Sequence, residues 1–363
     1  DEQSPEVQAQ LDALIQARIR EDGETLNTET ITVLDPACGS GHILVVAYDL
    51  LKPIYLERGY QPRAIPRLIL EKNLYGLDID DRASQLAAFA LLMKARADDR
   101  RLFNEPPELN VLSMKESEGL DVVELTRTLV PYGVESAPLS VLLNIFDQAK
   151  TFGSLIKIPK DLCGALAGMT VGLELALRDG DLYARQSAMD IRPLVRQAQV
   201  LATKYDSVAA NPPYMGGKSF NNKLKSWLAK EYLGCHKDLF SAFIVKLLDF
   251  ARPQGFVSAM TSFVWMFLSS HQSLRERLLQ GSRIDSLIQL HYDAFVEAKA
   301  HICTFVLSPH FTAGFKSTYV RLADFPGVEN QPVRTLEAIE DRNCGWLYEA
   351  DQAEFQIIPG KPI

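Results

Sequence analysis

Short apolar runs alternate with longer amphipathic segments from Ile31 to Leu322. That alternation is the pattern of strands and helices laid around a parallel sheet. The runs predict strands over residues 31–34, 74–77, 109–112, 207–210, 256–260, 284–290 and 302–307. Between them, apolar residues recur at spacings of three and four over 41–58, 81–96, 238–251 and 271–280. Each of these segments opens near a polar residue or a glycine and reads as a crossover helix. The expectation is an α/β fold on an open, mostly parallel sheet of seven strands.

Residues 119–204 are too many for one crossover, and helical periodicity appears in pieces at 141–149, 173–177 and 191–202. A helical insertion is therefore expected there. Residues 1–30 read as a helical lead-in and 31–310 as the main domain containing that insertion. Residues 311–363 read as an extension with one more strand near 319–322.

Composition narrows the class of protein. With 363 residues and nearly half of them apolar, the chain can bury a large core without disulfides or metal. No stretch reaches the roughly 18 uncharged apolar residues of a membrane span, and the start is acidic where a signal peptide would be basic. No membrane association and a cytoplasmic location are expected. The 5 cysteines form no CxxC pair, so neither a disulfide framework nor a zinc site is predicted. His42, His236 and His301 lack metal-ligand spacing, and no metal is expected. A net charge of -8 makes any nucleic-acid contact local or dependent on other protein. The chain starts without Met and stops at Ile363 after a Pro-Gly-Lys-Pro stretch. It reads as part of something longer.

Two segments carry chemistry. The first, Asp35-Pro36-Ala37-Cys38-Gly39-Ser40-Gly41, joins the first strand to the first helix. Its small residues let backbone amides approach a ligand closely. A phosphate cradle would not place Asp35 at the strand end, whereas a ligand with a cationic amino group would favour it. About forty residues on, the second strand ends in Gly76-Leu77-Asp78-Ile79-Asp80, with a carboxylate suited to the two hydroxyls of a ribose. Asp80 is the alternative to Asp78 in that role. A ribose and an amino acid together point to S-adenosylmethionine. A glycine-rich turn alone reads equally well as a ligand-free turn; the acidic second strand argues against that.

The second segment is Asn211-Pro212-Pro213-Tyr214, at the end of the fourth strand. Two prolines fix the backbone and remove donors, so the Asn211 side-chain oxygen and the Pro212 carbonyl can both accept from an NH2 group. An amine conjugated to an aromatic ring is a poor nucleophile, and two acceptors draw it toward attacking geometry without a strong base. Tyr214 offers a flat surface on which to stack an extruded base. The bland reading is a proline-stiffened turn, which its place at a strand's carboxyl end disfavours.

With both segments in place, the chain resembles the amino-group DNA methyltransferases, and specifically the PglX-type adenine methyltransferases of BREX phage-exclusion systems. The resemblance runs through DPACGSGHIL at 35–44, LEKNLYGLDIDDRA at 70–83, NPPYMGGK at 211–218, DLFSAFI at 238–244 and FVWMFLSS at 263–270. It implies a Rossmann-like S-adenosylmethionine-dependent methyltransferase fold that methylates adenine in double-stranded DNA, with defence-system proteins as further partners. It also implies site roles: Asp35, Ala37, Gly39 and Gly41 around the methionine part, Asp78 and Ile79 at the ribose, Asn110 and Val111 beside the cofactor adenine, and Phe243 packed on that ring. Asn211, Pro212, Pro213 and Tyr214 would hold the target base, with Phe295 sandwiching it. By composition alone Phe243 and Phe295 read as core aromatics. The family usually has an acid where this chain has Asn110, and an aromatic-threonine-proline segment that the family carries before the glycine turn does not precede Asp35 here. The target-recognition region expected after the sheet is also not seen.

The basic run Lys218, Lys223, Lys225 and Lys230 follows the second segment. It suits phosphates flanking an extruded base, or simply a solvated helix face. Two other functions stay open: methylation of a protein glutamine, whose amide fits the same grip, and a silent DNA-binding scaffold in a defence complex. A restriction nuclease, if fused, would lie outside these residues.

Overall fold

The computed structural model describes residues 3–23, 25–296 and 299–363; parts of the expected lead-in at 1–2 and 24 lie outside them. The chain divides into two units, one formed by Asp1–Leu34 with Tyr205–Ile363 and the other by Asp35–Lys204.

In the first unit β1 (Val33–Asp35) lies parallel to β4 (Tyr205–Ala210), and β4 lies parallel to β5 (Ala251–Ser262). Then comes β7 (Ile302–Ser308), antiparallel to both β5 and β6 (Arg283–Gln289). Beyond β6 run β8 (Lys316–Arg321), parallel to it, and β9 (Leu347–Asp351), antiparallel to β8. Alternation explains the long strand: Val257, Ala259 and Thr261 are buried while their neighbours are not. β7 and β9 are the antiparallel members of the mostly parallel sheet that the sequence leads one to expect. β9 has no apolar run, since it is an edge strand, and the hydrophobic pattern did not predict it.

A lead-in helix, Pro5–Asp22, is capped by Ser4. Its buried Arg18 pairs with Asp22 at 2.6 Å and Asp206 at 2.9 Å. Asp206 also accepts from the backbone N–H and the hydroxyl of Thr32, which ties the helix to the start of β4. At the other end Val320, Leu322 and Ala338 form a small core with Phe325 and Trp346 packed against it. The extension thus joins the sheet edge.

In the second unit β2 (Leu74–Asp78) and β3 (Asn110–Ser113) run parallel, with Asp78 opposite Ser113. Helices His42–Glu57 and Asp81–Asp98 are the crossovers. Residues 119–204 form helices Val122–Leu129, Ser136–Phe146, Ala149–Phe152, Lys160–Asp179 and Leu182–Ala202. The last two extend well beyond their periodic pieces; three glycines in one and Pro193 in the other hid their length from the pattern. Among the described residues no helix is long and apolar enough to cross a membrane.

Candidate active site

Within the second unit the turn after β1 is folded by its own small residues. Gly39 and Gly41 have φ of 51° and 83°, the left-handed region that favours glycine. A Cβ on Gly41 would lie 2.9 Å from Ala87, so the turn crosses directly over helix Asp81–Asp98. A Cβ on Gly39 would meet nothing within 4 Å, which leaves open space against the backbone. The Ser154 hydroxyl, from the helical insertion, donates to the Pro36 carbonyl at 2.6 Å. No motif singles out Ser154, because its role is a tertiary contact 118 residues away in sequence.

Asp35 is 1 % exposed, and its carboxylate accepts from the Ala37 N–H at 3.1 Å. No lysine or arginine pairs with it among the described residues. Burial pushes it up to about 7, and the nearby Asp78 charge adds to the shift. A buried carboxylate that its own protein leaves without a cation suits a ligand ammonium. Asp78 accepts from the Gly39 N–H and the Asp80 N–H, both at 2.9 Å, which fixes its carboxylate at the mouth of the turn. Asp80 is instead spent as the N-cap of helix Asp81–Asp98, accepting from Arg82 and Ala83. Ile79, beside Asp78, is 51 % exposed and offers an apolar surface next to that carboxylate.

Asn110 and Val111 lie short of the level of Asp78, with the Val111 side chain and the Cys38 thiol of the turn bordering the same face of Gly76. They open β3, opposite Tyr75 and Gly76, and the Asn110 amide donates to the Glu71 carbonyl at 2.9 Å. At about 3.3 Å per residue, Asn110 sits roughly 10 Å along the strand from the level of Asp78. Ser113 and Met114 occupy that level: the Met114 N–H donates to the Asp78 carbonyl at 2.8 Å. The Ser113 hydroxyl bonds Asp81, which Lys115 and Lys150 also hold at 2.7 Å and 3.2 Å. Hydrogen bonds from Lys115 and Ser113 keep the Asp81 carboxyl well below the usual carboxylate range.

Within the first unit β4 ends at Ala210, and Asn211 stands exposed next to the buried Pro212. The Tyr214 hydroxyl lies 3.0 Å from Asn211 Oδ1 and 3.1 Å from the Met260 carbonyl at the end of β5, and its one proton is shared between them. Burial pushes this phenol up to about 12, so it stays a donor at ordinary pH. The bond orients the amide and leaves Oδ1 a further lone pair. The Tyr214 residue is still 46 % exposed.

Phe243 is buried on helix Leu239–Phe250. Phe295 is exposed on the connection between β6 and β7. That connection also carries Tyr292, whose ring packs on His301 with centroids 4.9 Å apart, and His301 packs in turn on Phe263 at 4.9 Å. Tyr292 carries no spacing signal in the sequence, whereas Phe263 opens the FVWMFLSS segment at 263–270. The lysines at 218, 223, 225 and 230 are all exposed, the last three on helix Asn222–Glu231.

A family model described as the Eco57I restriction-modification methylase matches residues 72–295, and one described as the DNA-methyltransferase domain of MmeI matches residues 23–118. The adenine-specific methyltransferase BrxX of Escherichia coli O9:H4 (strain HS) is 38% identical over 100% of this chain and 31% of its own length. The adenine-specific methyltransferase PglX of Lacticaseibacillus casei (strain Zhang) is 33% identical over 95% of this chain and 29% of its own. The chain thus spans about a third of the length of the curated relatives it matches. In structure it is similar to a nuclease-deletion mutant of the Type ISP restriction-modification enzyme LlaGI in complex with a DNA substrate mimic. There the TM-score is 0.54 at 14% identity, covering 98% of this chain and 30% of that one.

Proposed function

The chain belongs to the Eco57I restriction-modification methylase family, and on that premise we propose that it moves a methyl group from S-adenosylmethionine to the exocyclic amine of an adenine swung out of double-stranded DNA. The observation that carries the reading is the Asn211–Tyr214 loop. An amide oxygen is held at a strand's carboxyl end by the hydroxyl of an exposed aromatic ring.

The residues of the glycine turn fit the cofactor. Asp35 would hold its ammonium, the open space beside Gly39 admits it, Asp78 would take the ribose hydroxyls, and Ile79 would cover the adenine edge. When bound, S-adenosylmethionine supplies a methyl group on a sulfonium, an electrophile needing no further activation. Asn211 Oδ1 and the Pro212 carbonyl draw the adenine amine out of conjugation, and Tyr214 with Phe295 stacks the base. Asn110 and Val111 have no part in this proposal. Phe243 keeps its assigned place against the cofactor ring by family resemblance alone.

We read the setting as phage exclusion or restriction-modification in the cytoplasm, with DNA and other defence proteins as partners. The test is labelled methyl transfer from S-adenosylmethionine by the full-length protein, with digestion of the product. Label in N6-methyladenine is the expected result. Label in protein glutamine, or none in any acceptor, would overturn the reading.

A further inference from the structure

Beneath the Asn211–Tyr214 loop lies a chain of polar side chains that the chemistry above does not use. Asp238 stands at the N-cap of helix Leu239–Phe250, yet its carboxylate makes no capping bond. A helix that forgoes an available cap gives up stability, so the carboxylate has another use. One oxygen lies 3.3 Å from His271 Nε2. The other lies where a Cβ on Gly216 would come within 3.1 Å of it. The Asp238 and Gly216 backbones form a β-bridge, flanked by bonds from Gly217 N–H to the Lys237 carbonyl and from Leu239 N–H to the Met215 carbonyl, both 2.9 Å.

His271 is 2 % exposed, and its Nδ1 lies 3.1 Å from the Ser241 hydroxyl, itself 0 % exposed. Burial lowers the proton affinity of the ring. The neutral ring then accepts at Nδ1 from the Ser241 hydroxyl, which leaves its proton on Nε2, the nitrogen facing Asp238. The Phe240 ring, 5.5 Å away by centroid, leaves the imidazole little room to turn. A serine, a histidine and an aspartate in this order resemble a nucleophilic triad, but no substrate reaches a fully buried Ser241.

We propose that Ser241, His271 and Asp238 are positioning residues that lock the downstream end of the Asn211–Gly217 loop, so that Asn211 and Tyr214 are held for the target amine. The proposal rests on the reading of that loop as the grip on adenine. Two prolines stiffen its upstream half, whereas Met215-Gly216-Gly217 has no stiffness of its own and needs an external clamp.

The test is made on the full-length protein with His271→Leu, which removes the ring's polar contacts with Ser241 and Asp238, and His271→Gln, which keeps a polar side chain toward Asp238. Trypsin cleavage after the exposed Lys218 reports loop order whether or not methyl transfer occurs. We expect cleavage there to be about tenfold faster in H271L and restored to within about threefold of the native rate in H271Q. Methyl transfer into unmethylated plasmid DNA should fall at least about tenfold in kcat in H271L, with S-adenosylmethionine affinity within about twofold of native. Unchanged cleavage at Lys218 in folded H271L overturns the proposal. So does loosening at Lys160 in the other unit to the same degree without rescue by glutamine. Should H271L fail to fold, Ser241→Ala decides on the same cleavage, with about a threefold rise expected. A native protein that methylates no DNA overturns the functional reading instead, and the cleavage at Lys218 still decides the clamp.

Discussion

The glycine turn keeps its carboxylate Asp35 buried, whereas the Asn211–Tyr214 loop presents its amide and its ring at the surface. Asp35 is 1 % exposed and lacks a cation partner, while Asn211 stands exposed and Tyr214 is 46 % exposed with its hydroxyl bonded. The first region holds electrostatic stress that a small cationic ligand would relieve. The second holds little stress and offers shape: a fixed amide, open rings and lysines. A cofactor of constant structure can be met by a preformed pocket, but a base arriving on a large polymer needs an accessible platform.

The strongest way to break this contrast is Asn211→Ala. Methyl transfer should fall by about a hundred- to a thousandfold, the cost of losing one oriented acceptor, with S-adenosylmethionine binding unchanged by calorimetry. Equal loss of both would mean that the two regions do not divide the labour. Next comes Asp35→Ala, for which calorimetry should show cofactor affinity lowered about a hundredfold. An unaffected affinity would remove the carboxylate from the cofactor site.

The pH dependence sharpens the same point. Asp35 is raised from 3.8 to about 7 in the fold, so the folded state prefers it protonated. Its contribution to stability is complete below pH 3.8 and is lost as pH rises through about 7. Asp35→Asn should flatten that part of a stability curve followed by denaturant titration. Cofactor binding needs the ionised form, so native affinity should weaken about tenfold between about pH 8 and about pH 6, with proton release on binding visible in buffers of different ionisation enthalpy. The smallest effect is expected on the target side. Lys218→Ala or Lys225→Ala should each reduce the slope of log affinity for DNA against log salt by about 1, and weaken binding alike for all sequences. A slope that does not move would make these lysines a solvated face.

The elements most legible in the sequence were those with strong periodicity or fixed backbone needs. The glycine turn, the Asp78 strand end and the Asn211–Tyr214 loop stand where their residue types require. The failures have specific causes. The strand predicted at 109–112 begins one residue later, and register against β2 sets Ser113, not Asn110, level with Asp78. β9 lacks an apolar run because an edge strand needs none. Asp80 and Asp78 look alike in sequence, and only the helix that starts at Asp81 shows that Asp80 is occupied as a cap.

By itself, the sequence determined the local chemistry: where glycine must take a left-handed backbone, where proline removes donors, and which carboxylates end strands. These are properties of a few adjacent residues and follow from sterics and hydrogen-bonding capacity. Only the tertiary structure decided how that chemistry is held and tuned. The burial that pushes Asp35 upward, the Ser154 hydroxyl on the Pro36 carbonyl and the His271 ring against Asp238 all depend on partners distant along the chain. Their energies arise from exclusion of water by packing, which no local pattern encodes.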